Sequence, residues 1–153
     1  MFDKLIQKLK KQGKIKKQKA GIVQIEALLK EAILDLGEAK KISHIAERAT
    51  YLLAYMAMLK AGRALLLFKG YMPDDGAQHK TVVKFMFHFL GKEFKEIVEH
   101  FDRMRRKRNI FTYEIDISIS KTEAGSAFET AVKFVNLIKE IIKRENQQAE
   151  FGF

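Results

Sequence analysis

Hydrophobic positions recur along most of the chain at three- and four-residue spacing, the period of amphipathic helices. Phe2, Leu5, Ile6 and Leu9 form a short apolar stripe among lysines, and Gly13 with the lysines around it weakens any continuation. From Ala20 to Ile42, the residues Ile22, Ile25, Leu28, Leu29, Ala32, Ile33 and Leu36 keep one face apolar, with Gly37 and further lysines towards the end. Ser43 has the chemistry of an N-cap for a helix predicted from His44 to about Lys69. That segment is the most apolar of the chain, and its Ala54, Ala57, Ala61 and Ala64 permit close approach of neighbouring helices, so it is expected at the centre of a bundle. Gly70 to Gly76, with one Pro and two Gly, is the clearest break. Two short-range helices follow it, His79–Leu90, apolar nearly all round and ended by Gly91, and then Lys92–Tyr113. The run Ile115 to Ser120 alternates like a strand but has no partner strand in the pattern, so it is expected to be an extended connector, with pairing across a dimer as the lesser reading. A last helix is predicted over Glu123–Asn146.

The helix from Lys92 to Tyr113 breaks its own pattern. Phe94, Ile97, Val98, Phe101 and Met104 define a buried face, and the same face then continues through Arg105, Arg108, Asn109 and Tyr113. A guanidinium on the inward side of a helix costs free energy unless a carboxylate, a phosphate or a wet cleft receives it. Cations at a solvated helix end, where they suit the macrodipole, are the plain explanation. An Arg-Asn pair beside Phe111 and Tyr113 favours a polar site with an aromatic floor.

Composition narrows the function classes. The 153 residues suffice for one domain with a real core. Cysteine is absent, which removes disulfides, thiolate metal sites and a cysteine nucleophile, and fits a reducing cytoplasm. No apolar run is expected to span a bilayer, and no secretory signal is read at the N-terminus. The histidines form no HExxH or Glu-x-x-His pairing, and Asp74-Asp75-Gly76 is too little for a calcium loop, so neither metal nor other cofactor is expected. The net charge of +10 is uneven: residues 1–19 carry +7, and the remainder only +3. A lysine-rich arm (1–19), a helical body (20–147) and a short tail (148–153) are the expected divisions. Both the arm and the basic cluster at Arg103 to Arg108 are able to attract a polyanion.

The segments YMAMLKAGRALLLFKGYMPDDGAQHKTVVKF (55–85) and RRKRNIFTYE (105–114) resemble the HEPN family, the higher eukaryote and prokaryote nucleotide-binding domains, over about Ala27 to Arg144. The resemblance implies an all-α, four- to five-helix up-and-down bundle that forms a homodimer, with the Arg-containing motifs of both chains in one cleft. It implies a role with RNA or nucleotide, and a small nucleotidyltransferase of toxin–antitoxin operons as protein partner. Catalytic relatives are metal-independent ribonucleases with Arg, often Asn, and then a His four to six residues on. Arg108-Asn109 matches the first half, but the residue five beyond Arg108 is Tyr113, and no His follows His100. Arg108 and Tyr113 are therefore the candidate catalytic residues, and Arg105, Arg108, Asn109, Tyr113 and His79 the candidate binding residues. Tyr113 or Phe111 would stack a base, and His79 would supply an imidazole if its loop folds onto Arg108. A helical adaptor with its arginines paired to carboxylates is the reading outside nucleotide chemistry.

Overall fold

The computed structural model describes residues 2–17, 21–73, 78–114 and 116–146. Six α-helices dominate it: α1 (Phe2–Lys11), α2 (Ile22–Ile42), α3 (Glu47–Phe68), α4 (Gln78–Leu90), α5 (Lys95–Tyr113) and α6 (Lys121–Glu145). Residues 74–77, which include the Asp-Asp-Gly run, lie outside the described set, as do Ile115 and the tail after Asn146. This is the all-α bundle that the hydrophobic periodicity predicts.

Helix α3 is its axis, and α2 and α6 make the broadest contacts with it. Ala54, Ala57, Ala61 and Ala64 are all wholly buried, and their small side chains let the neighbouring backbones come close. Gly62 is the tightest point: a Cβ there would stand 2.6 Å from Val82 Cγ1 on α4. By length and composition alone α3 could cross a membrane, which the sequence did not lead us to expect. Its apolar residues here are covered by the other helices of the bundle. Lys60, partway along this helix, reaches Asp35 of α2 at 2.7 Å. Lys69 at the end of α3 meets Glu145 at the end of α6, also at 2.7 Å, so these two helices run in the same direction.

Several boundaries differ from expectation for identifiable reasons. Ser43 does not cap α3; it closes α2, its hydroxyl donating to the Lys40 carbonyl at 3.1 Å, and Ala46 precedes α3 without a side-chain cap. Helix α2 passes through Gly37 without a break. Helix α6 starts two residues early because Ser120 and Glu123 form a reciprocal capping box. Residues 116–120 are irregular, in keeping with a connector.

The one sheet was not foreseen. β1 (Ile15–Lys17) pairs antiparallel with β2 (Tyr71–Pro73), Ile15 opposite Pro73 and Lys17 opposite Tyr71. Gly70, at a φ of +93° that side chains resist, turns the chain from α3 into β2. Leu5, Ile6, Leu9 and Ile15 are all buried, and α1 touches α4, so the lysine-rich segment is docked on the bundle by its apolar stripe.

Candidate functional site

Tyr55 of α3 and His79 in the first turn of α4 meet side chain to side chain. The Tyr55 hydroxyl lies 2.8 Å from His79 Nδ1. Tyr55 is wholly buried, its ring between His79 and Phe101, with 5.7 Å between centroids on each side. Phe101 continues the column to Phe134 of α6 at 5.3 Å. An imidazole at the rim of the bundle is thus oriented by aromatic packing that reaches into the core.

Helix α5 brings the cations. Val98, Phe101 and Met104 are fully buried and fix the rotation of α5, which places Arg105 half inside, with its side chain 14% exposed. Asp102, one turn earlier, receives Arg105 Nε at 3.0 Å and Arg106 Nε at 3.4 Å. Arg106 is well exposed, whereas Arg108 is half-buried and directs Nη1 to Asn109 Oδ1 at 3.4 Å. The positive charges converge on His79. Burial, then Arg108, Arg63 and Arg105, hold its pKa below the ordinary histidine value. Burial pushes the Tyr55 phenol well above its ordinary range despite Arg108 and Arg105, which pull it down. At neutral pH both partners are therefore uncharged, within reach of the fields of three guanidiniums. The Tyr55 bond orients the ring in either tautomer: a phenol donating to Nδ1 leaves Nε2–H as a donor, and a phenol accepting from Nδ1–H leaves Nε2 as a base.

His79 touches Tyr55, and Arg108, Arg63 and Arg105 reach it through their electrostatic influence. Asn109 is exposed and touches the site only through Arg108. Tyr113 is 85% exposed, and five residues beyond Arg108 means about 140° around the helix. Within one chain the two point apart. Phe111 is engaged internally, edge-on to Tyr51 at 6.1 Å and covered by the Arg48 guanidinium at 5.0 Å, so its ring is not open to a base. Sequence reasoning gave neither Tyr55 nor Arg63 a part in the site. The available signal was a cation in the apolar run KAGRALLL, eight residues after Tyr55 and so about 80° from it around α3.

A second cleft, of about 390 Å³, opens where α5 meets α6 and the start of α3, lined by Tyr51, His100, Arg103, Lys107, Glu123 and neighbours. His100 Nδ1 pairs with the Thr130 hydroxyl at 2.8 Å, and burial, then Arg103, lower its pKa. Tyr51 is pushed up to about 12 by burial and by Glu123. Lys107 is bound to Glu123. This cleft, like the His79 site with its Asp102–Arg105 pair, holds a carboxylate that already binds one of its cations. Among the described residues no group of three or more His, Cys, Asp or Glu could hold a metal ion.

The family profile for the HEPN domain matches residues 25–141, from the first buried residue of α2 nearly to the end of α6. The chain belongs to the HEPN domain family. A search of curated proteins found no match to it. The HEPN assignment makes the chain a nucleotide- or RNA-associated module, and it covers every residue of the Tyr55–His79–arginine site. Helix α1 and strand β1 fall outside the matched region.

Proposed function

We propose that this HEPN module binds RNA, with a backbone phosphate received by Arg105 and Arg108 beside the His79–Tyr55 pair. The observation that supports this reading is the half-buried His79 imidazole, held by Tyr55 at 2.8 Å, on which the charges of Arg108, Arg63 and Arg105 act. Arg108, Arg63 and Arg105 are like charges acting on one imidazole, Asp102 offsets part of that charge through Arg105, and an added anion lowers what remains; guanidinium forks suit phosphate oxygens in geometry as well as charge. Fluorescence anisotropy of a labelled single-stranded RNA tests it. Affinity should fall on Arg108→Ala and with rising salt, by a slope of about 0.7 per phosphate contact in a log–log plot. Binding that responds to neither discards the reading.

A ribonuclease is the second reading, favoured by the position of His79. The motif Arg108-Asn109-x3-Tyr113 lacks its histidine, and α4 supplies an imidazole to the same arginines. In that chemistry Nε2 takes the proton of a 2′-hydroxyl, the 2′-oxygen bonds to phosphorus, and the bond to the 5′-oxygen breaks, that oxygen leaving with the bonding pair and taking a proton from water, while the arginines stabilise the added charge. RNA cleavage in EDTA that is lost in both His79→Gln and Arg108→Ala supports it, and RNA left intact at high protein excess removes it. Tyr113, solvated and remote from His79, has no part in this scheme within one chain.

The partners we infer are a second copy and a small nucleotidyltransferase encoded beside it. Ile110 and Tyr113 are exposed apolar residues on the basic half of α5 and suit a face shared with another copy. Light scattering of the wild type and of Ile110→Asp reads the dimer, and co-purification reads the nucleotidyltransferase. A toxin–antitoxin role in the cytoplasm follows only if that second protein is found.

A further inference from the structure

The lysines of the N-terminal segment are not scattered by folding. Lys4 and Lys8 are one turn apart on α1, and Lys80 and Lys84 are one turn apart on α4, with His88 one turn further. Lys4, Leu5, Lys8, Lys84 and His88 line a groove of about 250 Å³ between the two helices. The groove is held in place from both ends. Leu5, Ile6 and Leu9 are buried beneath α1, and β1 is hydrogen-bonded to β2, the strand that precedes α4. Lys10 lies 4.9 Å from the centroid of Tyr71, fastening the same join.

Charge makes this groove unusual. Among the described residues, none of Lys4, Lys8, Lys14, Lys80 and Lys84 is ion-paired with a carboxylate. The Lys84 ammonium is held below its ordinary pKa by burial and by the charges of Lys14, Lys8 and Lys80. Folding has brought like charges from two distant stretches of sequence to one place, and among the described residues no carboxylate pairs with them.

We propose that the groove between α1 and α4 is a track for the phosphate backbone of single-stranded RNA, with Lys4 and Lys8 on one bank and Lys80 and Lys84 on the other. It rests on the phosphate site proposed above; Lys80 follows His79 in the first turn of α4. The eight-residue span from Lys80 to His88 is about 12 Å along the helix. A bilayer is a poorer occupant, because Leu5, Ile6 and Leu9 of the α1 apolar stripe are buried against the bundle rather than free to insert. A flexible single strand can follow the groove and still deliver a phosphate to the half-buried His79.

The test uses the full chain, a labelled twelve-nucleotide single-stranded RNA and the dinucleotide UpU, with Lys8→Gln/Lys84→Gln beside Arg108→Ala. The lysine substitutions leave the buried stripe intact, and circular dichroism checks that the fold is kept. The double lysine variant should bind the long RNA about tenfold more weakly near physiological salt, with a salt slope smaller by about 1.4. Its UpU binding, read from the His79 ring resonances, should be unchanged. Arg108→Ala should weaken both. If the lysine variant binds the long RNA as tightly as wild type while Arg108→Ala does not, the track is overturned and the arginine site stands. If the lysine variant loses the long RNA and Arg108→Ala is without effect, the track stands and the arginine site falls. Displacement of the RNA by poly-glutamate at equal charge, or tight binding to phosphatidylserine vesicles that the lysine variant loses, would identify a different occupant and overturn the proposal.

Discussion

Gly62→Ala is the sharpest test of how α4, and with it His79, is positioned. The added Cβ would lie 2.6 Å from Val82 Cγ1, against an ordinary carbon–carbon separation of about 3.5–4.0 Å. Val82 is β-branched on a helix and cannot swing aside at χ1, so α4 itself must retreat by about 1 Å. Two effects oppose each other. Replacing a mid-helix Gly by Ala gains about 1 kcal/mol of helix propensity, while overpacking costs about 1–3 kcal/mol. The packing term should win, leaving a net loss of about 1 kcal/mol in urea or thermal unfolding, a few degrees in Tm for a chain of this size. The double variant Gly62→Ala/Val82→Ala should recover part of the loss, because the new methyl occupies space that the Val82 truncation vacates; a coupling of about 1 kcal/mol is expected. His79 lies one turn before Val82, so the retreat should also stretch its 2.8 Å bond to Tyr55 and shift the His79 ring resonances. A stabilised Gly62→Ala, additive with Val82→Ala, would mean that propensity alone governs this position and that the α3–α4 contact is looser than described.

Other outcomes follow from the same geometry. Arg108→Ala should raise the His79 pKa towards its ordinary value, because that charge is the largest electrostatic influence depressing it; an unmoved NMR titration would separate the two residues. His79 and His100 both titrate below their unfolded value of about 6.5, so the unfolded chain binds more protons under acid conditions. Stability should therefore be complete above pH 6.5 and fall as the pH drops below it, less steeply in His79→Gln or His100→Gln. At the alkaline end Tyr51 is raised to about 12, so its contribution is present below pH 10 and is lost as the pH climbs through 12; Tyr51→Phe should flatten that limb. Leu9→Ala should cost about 2–4 kcal/mol if α1 is part of the cooperative core, since Leu9 is wholly buried, and proteolysis near Lys10 and Lys11 should quicken; an unchanged unfolding midpoint would mean that α1 docks without contributing.

The bundle was legible because its helices carry long, uniform apolar faces, and tertiary packing had little to override. The alanine series of α3 named the central helix outright, and the break in the α5 pattern at Arg105 located the basic element of the site. What could not be read is pairing between distant stretches. Nothing local marks Tyr55 as the partner of a residue 24 positions later, since a buried tyrosine and a filler aromatic look alike in sequence. The β1–β2 pair was missed for the same reason: three-residue strands carry almost no periodicity, and their hydrogen bonds are decided by where Gly70 sends the chain. Ser43 misled because a serine between two helices has the chemistry to serve either, and here it closes the first. Tyr113 was singled out by spacing from Arg108, but spacing along a helix also sets an angle, and that angle turns it outward.

Glu123 performs two tasks with one carboxylate: it completes the cap of α6 with Ser120 and it holds Lys107 of α5. The opening turn of the last helix is therefore latched to the segment that displays the arginines. Fraying at one end should be felt at the other, so amide hydrogens around Thr122–Ala124 and around Lys107–Asn109 should exchange as one cooperative unit, and Glu123→Gln should loosen the two stretches together.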